Sequence, residues 1–332
     1  MTRLPTLLLC AAFLILPQEA MAKCFGRDLL QRLEVSDKTA HDAIFERAEM
    51  VPNASGRFWR IDKPGVTPSY LFGTYHDPGA HKTVQKEVWE AVEEARATWF
   101  ELSIEEQTRM QTDITANPLE LVFDFEQPPL SQRVPRGTLG TIRRALEARG
   151  IPLESAEQMR GWMLFSLLGF PACQLAEIQS GTPVLDDRLA NHGLENGVPN
   201  NGLETYEAAL AALERMAGED FSEMMVDLSV TVDADDDIHE TNMSLYASGD
   251  IQAIFEFGIW YAEEKGLTGV RERAEAFSDA ALVARNRAWM GKLVPELDQG
   301  SVFVGVGALH LPGEEGMVEL IRGAGFEVTR LD

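Results

Sequence analysis

Two segments with the same spacing of glycine, histidine and proline constrain the fold of this chain more than any other feature. The first is GTYHDPG at residues 73–79, and the second is GALHLPG at residues 307–313. Both fit the pattern G-x-x-H-x-P-G, and each directly follows an apolar run, at residues 70–72 and 302–306. Self-similarity of this kind indicates a structural unit that is repeated near the two ends of the chain.

The residues around each segment predict the same order of elements: a strand, a histidine loop, a helix and a second strand. The first copy has one more strand ahead of it, joined through Lys63-Pro64-Gly65, which predicts a hairpin. The predicted elements are strands 57–62 and 69–75, helix 84–97 and strand 98–102 in the first copy, and strand 301–306, helix 314–324 and strand 326–330 in the second. Two such units are expected to lie side by side in one sheet.

The long segment between the copies has mostly helical patterns. We therefore predict an α/β (α+β) fold, with a small mixed sheet formed by the two strand–GxxH loop–helix–strand elements and a large helical insert at about residues 104–297. One stretch of the insert, at residues 201–205, is strand-like. The predicted helices are 154–168, 207–216, 251–264 and 274–293, and a helix over 37–50 with Ser36 as its N-cap precedes the first copy.

Two stretches of the insert have competing interpretations. The acidic run at residues 233–237 imitates a calcium loop, but Ile238 and Ser244 replace the glycine and glutamate that such a loop needs, so we predict a solvated loop. The uncharged run at residues 161–176 is broken by Pro171. It predicts a buried helix, with contact at a membrane surface as the alternative.

The first 22 residues have the pattern of an export signal. Arg3 supplies a positive charge, residues 4–16 are apolar, and Ala20-Met21-Ala22 is a small-x-small cleavage site. We predict that residues 1–22 are a signal peptide, that residues 23–332 form a single domain, and that the mature protein is periplasmic or secreted. The apolar stretch is too short for a stable membrane anchor.

The cysteine and charge content bear on the redox compartment of the protein and on the kinds of partner that it can bind. Cys24 and Cys173 remain after the predicted cleavage; they either pair in an oxidising compartment or stay as two buried thiols, and the sequence leaves both open. The chain has 53 acidic and 29 basic residues and a net charge of -24. Such a charge disfavours nucleic acid and anionic membranes as partners.

The two loop histidines are the first candidates for a functional site. A histidine in a loop at the carboxyl end of a strand lies where ligands bind in α/β sheets. Neighbouring strands would bring His76 and His310 together, and Gly73 and Gly307 permit a close backbone approach. Paired imidazoles with one carboxylate are typical of a catalytic divalent metal site.

Two glutamates are candidates for that carboxylate. Glu101 ends the predicted strand of the first copy, and Glu204 ends the strand-like stretch of the insert. A strand-end histidine is often only a structural hydrogen-bonding group, and a lone Glu101 is often a helix cap, but the repeated context favours a site. No G-x-S-x-G elbow supports a serine hydrolase. The remaining histidines, His41, His81, His192 and His239, have no motif around them and are predicted to be surface residues.

The paired G-x-x-H motifs, Glu101 and the C-terminal stretch VGALHLPGEEGMVELIRGAGFEVTRL resemble the TraB/GumN family. This family is related to the Tiki metalloproteases and, more distantly, to the erythromycin-esterase and ChaN-like proteins. The resemblance covers about residues 57–332 and includes LDDRLA at 185–190, GLET at 202–205 and ARNRAWM at 284–290.

The resemblance implies a site made of His76, His310 and Glu101. It also implies Arg285 as a partner for an anion or carboxylate, and the matched segments add Asp186 and Glu204 as supporting residues. In the Tiki branch such a site supports metal-dependent hydrolysis of a peptide bond, with Mn²⁺ or Co²⁺ favoured and Zn²⁺ also compatible.

We therefore predict a metal-dependent, peptidase-like hydrolase that acts on a peptide or another amide or ester. A metal held by His76 and His310 lowers the pKa of bound water, Glu101 is a ligand or base, and Arg285 stabilises the developing oxyanion. One alternative is an esterase-type hydrolase without metal, in which a histidine is the general base. The other is a protein that binds a metal or haem iron without catalysis.

Overall fold

A six-stranded mixed sheet lies at the centre of the computed structural model, which describes residues 24–218 and 221–332. The predicted signal peptide, residues 1–22, lies outside the described residues. The strand order is β4-β3-β5-β2-β1-β6, which confirms the predicted α+β class. The strands are β1 Phe58–Asp62, β2 Ser69–Thr74, β3 Ala97–Phe100, β4 Asn200–Gly202, β5 Val302–Gly307 and β6 Glu327–Arg330.

The two repeated units are neighbours in this sheet, as predicted. β1 and β2 form the antiparallel hairpin, and β2 then pairs with β5 in parallel, with Gly73 opposite Val306 and Thr74 opposite Gly307. β3 pairs with the other side of β5, also in parallel, so the carboxyl ends of β2, β5 and β3 meet at one edge. The first strands of the two units, β2 and β5, are therefore direct neighbours in the sheet.

Helices cover both faces of the sheet and fill the insert, which confirms the predicted helical insert. Helices α1 and α2 precede the sheet, α3 follows the first histidine loop, and α18 follows the second. The α-helices are α1 Leu29–Ser36, α2 Lys38–Glu49, α3 Lys86–Glu93, α4 Ile104–Ala116, α5 Pro118–Leu121, α6 Leu130–Arg133, α7 Arg136–Ala148, α8 Leu153–Ala156, α9 Gly161–Gly169, α10 Ala172–Gln179, α11 Leu185–Glu195, α12 Tyr206–Gly218, α13 Phe221–Thr231, α14 Asp235–Ser248, α15 Ile251–Glu264, α16 Val270–Ser278, α17 Ala284–Leu297 and α18 Met317–Gly323. Short 3₁₀ turns occupy Ala80–Thr83, Val232–Ala234 and Ala308–His310, and a π-helical turn, Asp279–Val283, joins α16 to α17.

Alternation along the strands divides the core between the two faces of the sheet. On one face, Phe58, Phe72 and Phe303 pack with residues of α2, α14 and α15. On the other, Trp59, Leu71 and Val304 pack with residues of α17 and α18. A third apolar cluster, which includes Leu130, Ile142, Leu146, Leu164 and Met225, lies within the helical insert.

Several local predictions were wrong. Asp37 rather than Ser36 caps α2, since its carboxylate accepts from the Ala40 N–H. The acidic run 233–237 is helical rather than a loop, because Asp235, Asp236 and Asp237 fill the first turn of α14, where carboxylates favour the helix dipole. The predicted helix 154–168 is broken between α8 and α9, and the π turn interrupts the predicted helix 274–293.

The uncharged run forms two helices rather than one. α9 and α10 are bent by 104° at Phe170–Pro171, and Leu164 and Leu168 are buried in the core of the insert. By length and composition alone this bent pair is compatible with a broken membrane span, whereas no single helix among the described residues is long and apolar enough to cross a membrane.

Cys24 and Cys173 form a disulfide with a Cα–Cα distance of 5.3 Å, so the pairing alternative is the one the structure contains. The bond ties the segment before α1 to α10, 149 residues away. Sγ of Cys173 also lies 3.2 Å from Oδ1 of Asp236, at the start of α14. Three distant parts of the chain therefore meet at this bond.

Candidate functional site

Glu101, His76 and His310 meet around the α-carbon of Gly307. A Cβ atom at this position would lie 3.1 Å from Oε1 of Glu101, 3.6 Å from Cδ2 of His310 and 3.7 Å from Nε2 of His76. The backbone N–H of Gly307 also donates to Oε1 of Glu101, at 2.8 Å. Glycine therefore leaves open the small space that the three side chains share.

Parallel strand pairing explains why these side chains converge. Glu101 directly follows β3, Gly307 ends β5, and both strands end at the same edge of the sheet. Gly73 has a different role from Gly307. A Cβ there would lie 2.7 Å from Cδ1 of Leu311 and 3.0 Å from the α-carbon of Ala308, so glycine lets the second loop pack directly against β2.

His76 lies at the exposed side of the site and is paired with a carboxylate. Its Nδ1 donates to Oδ2 of Asp186 at 2.9 Å, and Oγ1 of Thr74 donates to the other oxygen of Asp186 at 2.5 Å. Nε2 of Gln174, a buried residue of α10, donates to the His76 carbonyl. The negative charge of Asp186 raises the pKa of His76 to about 9, although half of the side chain is exposed.

His310 is buried and is paired with an amide. Its Nδ1 lies 2.6 Å from Oδ1 of Asn286, its Nε2 lies 3.3 Å from Nη1 of Arg285, and its ring packs against Trp289 with centroids 4.5 Å apart. Nε2 is also 3.7 Å from Oε1 of Glu101. Burial lowers the pKa of His310 to about 3, with the charge of Arg285 acting in the same direction.

Arg285 joins the two candidate glutamates. Nη2 donates to Oε2 of Glu101 at 2.5 Å, and Nε and Nη2 both donate to Oε1 of Glu204. Burial by itself would raise the pKa of Glu101, but the charge of Arg285 and the N–H of Gly307 contribute to holding that pKa far below its usual value. Glu101 is therefore ionised and its carboxylate is fixed at both oxygens.

Helix α14 supports the first histidine loop from behind. The hydroxyl of Tyr246 donates to the Gly73 carbonyl at 2.9 Å, and its ring lies 5.3 Å from that of Tyr75. Nε2 of His239 lies 3.5 Å from Oδ2 of Asp77, and both side chains are at least nine-tenths buried. The prediction that His239 is a surface residue was wrong, because α14 packs on this loop. The other histidines outside the motif, His41, His81 and His192, are partly exposed.

A cleft of about 640 Å³ opens onto the site. His76, Glu101 and Asp186 line its inner end, while one wall is α4, a helix without a buried residue. His310 is not among the lining residues and lies behind Glu101. The polar side chains of α4 that line the cleft are Gln107, Thr108, Gln111 and Thr112.

The donor set fits a divalent cation in its chemistry. Nδ1 of each histidine is engaged, by Asp186 in one case and Asn286 in the other, so a ligand would meet the two Nε2 atoms, of which that of His310 also lies 3.3 Å from Nη1 of Arg285. Glu101, Glu204 and Asp186 carry three negative charges against the positive charges of Arg285 and protonated His76, which leaves one negative charge; it becomes two when His76 loses its proton on binding a metal. Two imidazole nitrogens and a carboxylate suit Mn²⁺, Co²⁺ or Zn²⁺.

The spacing of these donors is wider than that of a closed metal shell. Within residues 24–218 and 221–332, the only group of three His, Cys, Asp or Glu side chains whose ligand atoms all lie within 4.8 Å of one another is Cys24, Cys173 and Asp236. Both of those cysteines are in the disulfide, so that group does not offer thiolates to a metal. The histidine–glutamate set is an open one, with Arg285 on its inner side.

Sequence reasoning missed Asn286, Thr74 and Gln174. Asn286 adjoins Arg285 and stands three residues before Trp289, so helical periodicity places it on the buried face of α17. A buried asparagine requires hydrogen-bond partners, so its position on the buried face could have identified Asn286 as a functional candidate from the sequence. Thr74 and Gln174 carry no comparable signal, since their partners lie 112 and 98 residues away.

The protein is thus of the α+β class, with a mixed sheet that carries two G-x-x-H loops around a glutamate held by arginine. The sequence model of the TraB/PrgY/gumN family matches residues 57–330, and the chain belongs to this family. The predicted family is thereby confirmed. No curated protein matches the chain.

Proposed function

We propose that the protein is a hydrolase that cleaves an amide or ester bond, with peptides as the principal substrates. The observation that carries this proposal is the convergence of His76, Glu101 and His310 around Gly307, at the inner end of an open cleft. Histidines and carboxylates within reach of one small space are the groups that general acid–base catalysis of hydrolysis needs.

In this proposal His76 and Glu101 have different tasks. Without a bound cation, His76 carries a proton at neutral pH and faces the cleft, so it delivers that proton to the leaving group, while Asp186 keeps its ring oriented. A cation on Nε2 would displace this proton, and His76 would then be a ligand instead of a proton donor. Ionised Glu101 accepts a proton from the attacking water. Arg285 holds Glu101 in place rather than meeting an oxyanion, because its donors are already bonded to two carboxylates.

We also propose that a divalent cation takes part, with Mn²⁺ or Co²⁺ favoured and Zn²⁺ compatible. Nε2 of His76, Nε2 of His310 and the carboxylate of Glu101 would hold it. When bound, such an ion acidifies water and polarises a carbonyl group. The net negative charge of the site supports this part of the proposal.

One contact favours a second candidate, which is hydrolysis without a metal. Arg285 already lies 3.3 Å from Nε2 of His310 and occupies the inner side of the ligand set. In that case neutral His310 is the general base that activates water, as in an esterase-type site.

We propose that the protein acts in the periplasm or outside the cell. The disulfide between Cys24 and Cys173 supports this, because such bonds persist in oxidising compartments. The signal-like pattern of residues 1–22 agrees with it.

The deciding experiment combines metal analysis with an activity screen. The purified protein is analysed for bound metal, then assayed on fluorogenic peptides and aryl esters, with and without a chelator and with added Mn²⁺, Co²⁺ or Zn²⁺. Glu101→Gln is the test variant, and Glu105→Gln, on the exposed side of α4, is the matched control. We expect the wild type to hydrolyse a substrate, the chelator to abolish this activity, and Mn²⁺ or Co²⁺ to restore it. The Glu101→Gln variant should be inactive, and the Glu105→Gln variant should be as active as the wild type.

Other outcomes separate the alternatives. Hydrolysis that a chelator leaves unchanged selects the metal-free mechanism. Bound metal or haem without cleavage of either substrate class contradicts the hydrolase and selects a binding protein without catalysis.

A further inference from the structure

Asn286 makes three contacts that clamp the second histidine loop. Its Oδ1 lies 2.6 Å from Nδ1 of His310. Its Nδ2 donates to the carbonyl oxygen of His310 at 3.2 Å and to that of Glu315 at 2.9 Å. The residue is 1 % exposed, so none of these contacts is exchanged for water.

These contacts determine which way the amide of Asn286 faces. The carbonyl oxygens of His310 and Glu315 only accept hydrogen bonds, so they require the NH₂ group. Oδ1 then faces Nδ1 of His310 and can only accept. Nδ1 of His310 must therefore carry a hydrogen, because a rotated amide would oppose its oxygen to two carbonyl oxygens.

The other ring nitrogen of His310 is constrained from the opposite side. Nε2 lies 3.3 Å from Nη1 of Arg285, and a guanidinium group only donates. Nε2 is therefore an acceptor, with its lone pair towards Nη1 of Arg285. Trp289 packs against the ring and restricts its rotation.

We propose that Asn286 is a positioning residue that locks His310 in the neutral tautomer with hydrogen on Nδ1 and the lone pair on Nε2. The use made of that lone pair, to bind a cation or to take a proton from water, rests on the proposed function. The tautomer itself does not. In the first loop the corresponding partner is a carboxylate, Asp186, which permits a second proton on the ring of His76.

Nitrogen NMR of the full-length protein, labelled with ¹⁵N-histidine, tests this proposal. In long-range ¹H–¹⁵N spectra near neutral pH, His310 should show a protonated Nδ1 and an unprotonated Nε2; His310→Ala identifies its signals by their loss. A wild-type His310 with hydrogen on Nε2, or on both nitrogens, overturns the proposal. This readout needs no substrate and no metal, so it stands even if no hydrolysis is found.

Asn286→Ala tests the role of the amide. We expect both tautomers of His310 to be populated and any hydrolytic activity to fall by about 10- to 100-fold, as for other groups that orient a ligand or base. Asn196→Ala is the matched control, since Asn196 also donates to a histidine carbonyl but on the surface. A folded Asn286→Ala protein with an unchanged His310 spectrum contradicts the proposal; if this variant does not fold, the wild-type spectrum still decides it.

Discussion

The two histidine loops share one motif and one edge of the sheet, but their histidines lie in opposite environments. His76 is half exposed and paired with the carboxylate of Asp186, which raises its pKa to about 9. His310 is buried, paired with the amide of Asn286 and close to Arg285, and its pKa is lowered to about 3. The repeated motif places the two rings, whereas their partners set their protonation.

Those partners come from the helical insert rather than from the repeated units. Asp186 belongs to α11, Glu204 follows β4, and Arg285 and Asn286 belong to α17. An insert between two copies of one unit therefore makes the copies chemically different. A site with one cationic and one neutral histidine has a proton donor and an acceptor at the same time.

The largest expected effect comes from removing the guanidinium group of Arg285, which lies beside His310 of the second loop. Arg285→Ala leaves Glu101 and Glu204 buried without their partner, so we expect a loss of about 3–5 kcal/mol in the free energy of unfolding. Arg287→Ala, two residues along the same helix, is the control, because its pair with Glu315 is exposed and contributes little. Chemical denaturation measures both. Equal losses in the two variants would contradict the claim that the ion pairs of Arg285 with Glu101 and Glu204 stabilise the fold more than an exposed pair does.

The disulfide distinguishes the loops in a second way, since it lies next to Gln174, which binds the His76 carbonyl. We expect the Cys24→Ser, Cys173→Ser double variant to lose about 2–5 kcal/mol of stability. Hydrogen exchange should rise more in the first loop than in the second, because Gln174 of α10 donates to the His76 carbonyl of the first loop. An equal rise in the hydrogen-exchange rate of both loops would contradict the idea that the disulfide supports the first loop more than the second.

The smallest effect expected is a change in the protonation of His76. Its pKa should be about 9 in the metal-free protein and return towards the ordinary 6.5 in Asp186→Asn. Because the folded-state pKa is raised, the stabilisation is complete below about pH 6.5 and is lost as the pH rises through 9. NMR titration of the ring, with denaturation at several pH values, checks both statements. A His76 that titrates near 6.5 in the wild type contradicts the pairing with Asp186.

The sequence predicts the sheet and the meeting of His76, His310 and Glu101 because a repeated strand-end motif fixes the same backbone position twice. The hairpin of β1 and β2 is predictable for a different reason, which is the Lys63-Pro64-Gly65 turn between two strand-like runs. The environments of the two rings were not predictable in this way, since Asp186 lies 110 residues from His76. The run 233–237 shows why composition alone can mislead. Its acidic residues are typical of a loop, but Asp235, Asp236 and Asp237 also interact favourably with the dipole at the start of α14 and so form its first turn.

Titration calorimetry with Mn²⁺, Co²⁺ and Zn²⁺ tests most directly whether the two unlike histidines form one site. The wild type, His76→Ala, His310→Ala and the double variant are compared, with His192→Ala as a control and a thermal melt to confirm folding. We expect one cation site in the wild type and the control, nearly complete loss in each single variant, and little further loss in the double variant, since residues that act as one unit are not additive. Unchanged binding in either folded single variant, or no binding by the wild type, would contradict the shared site.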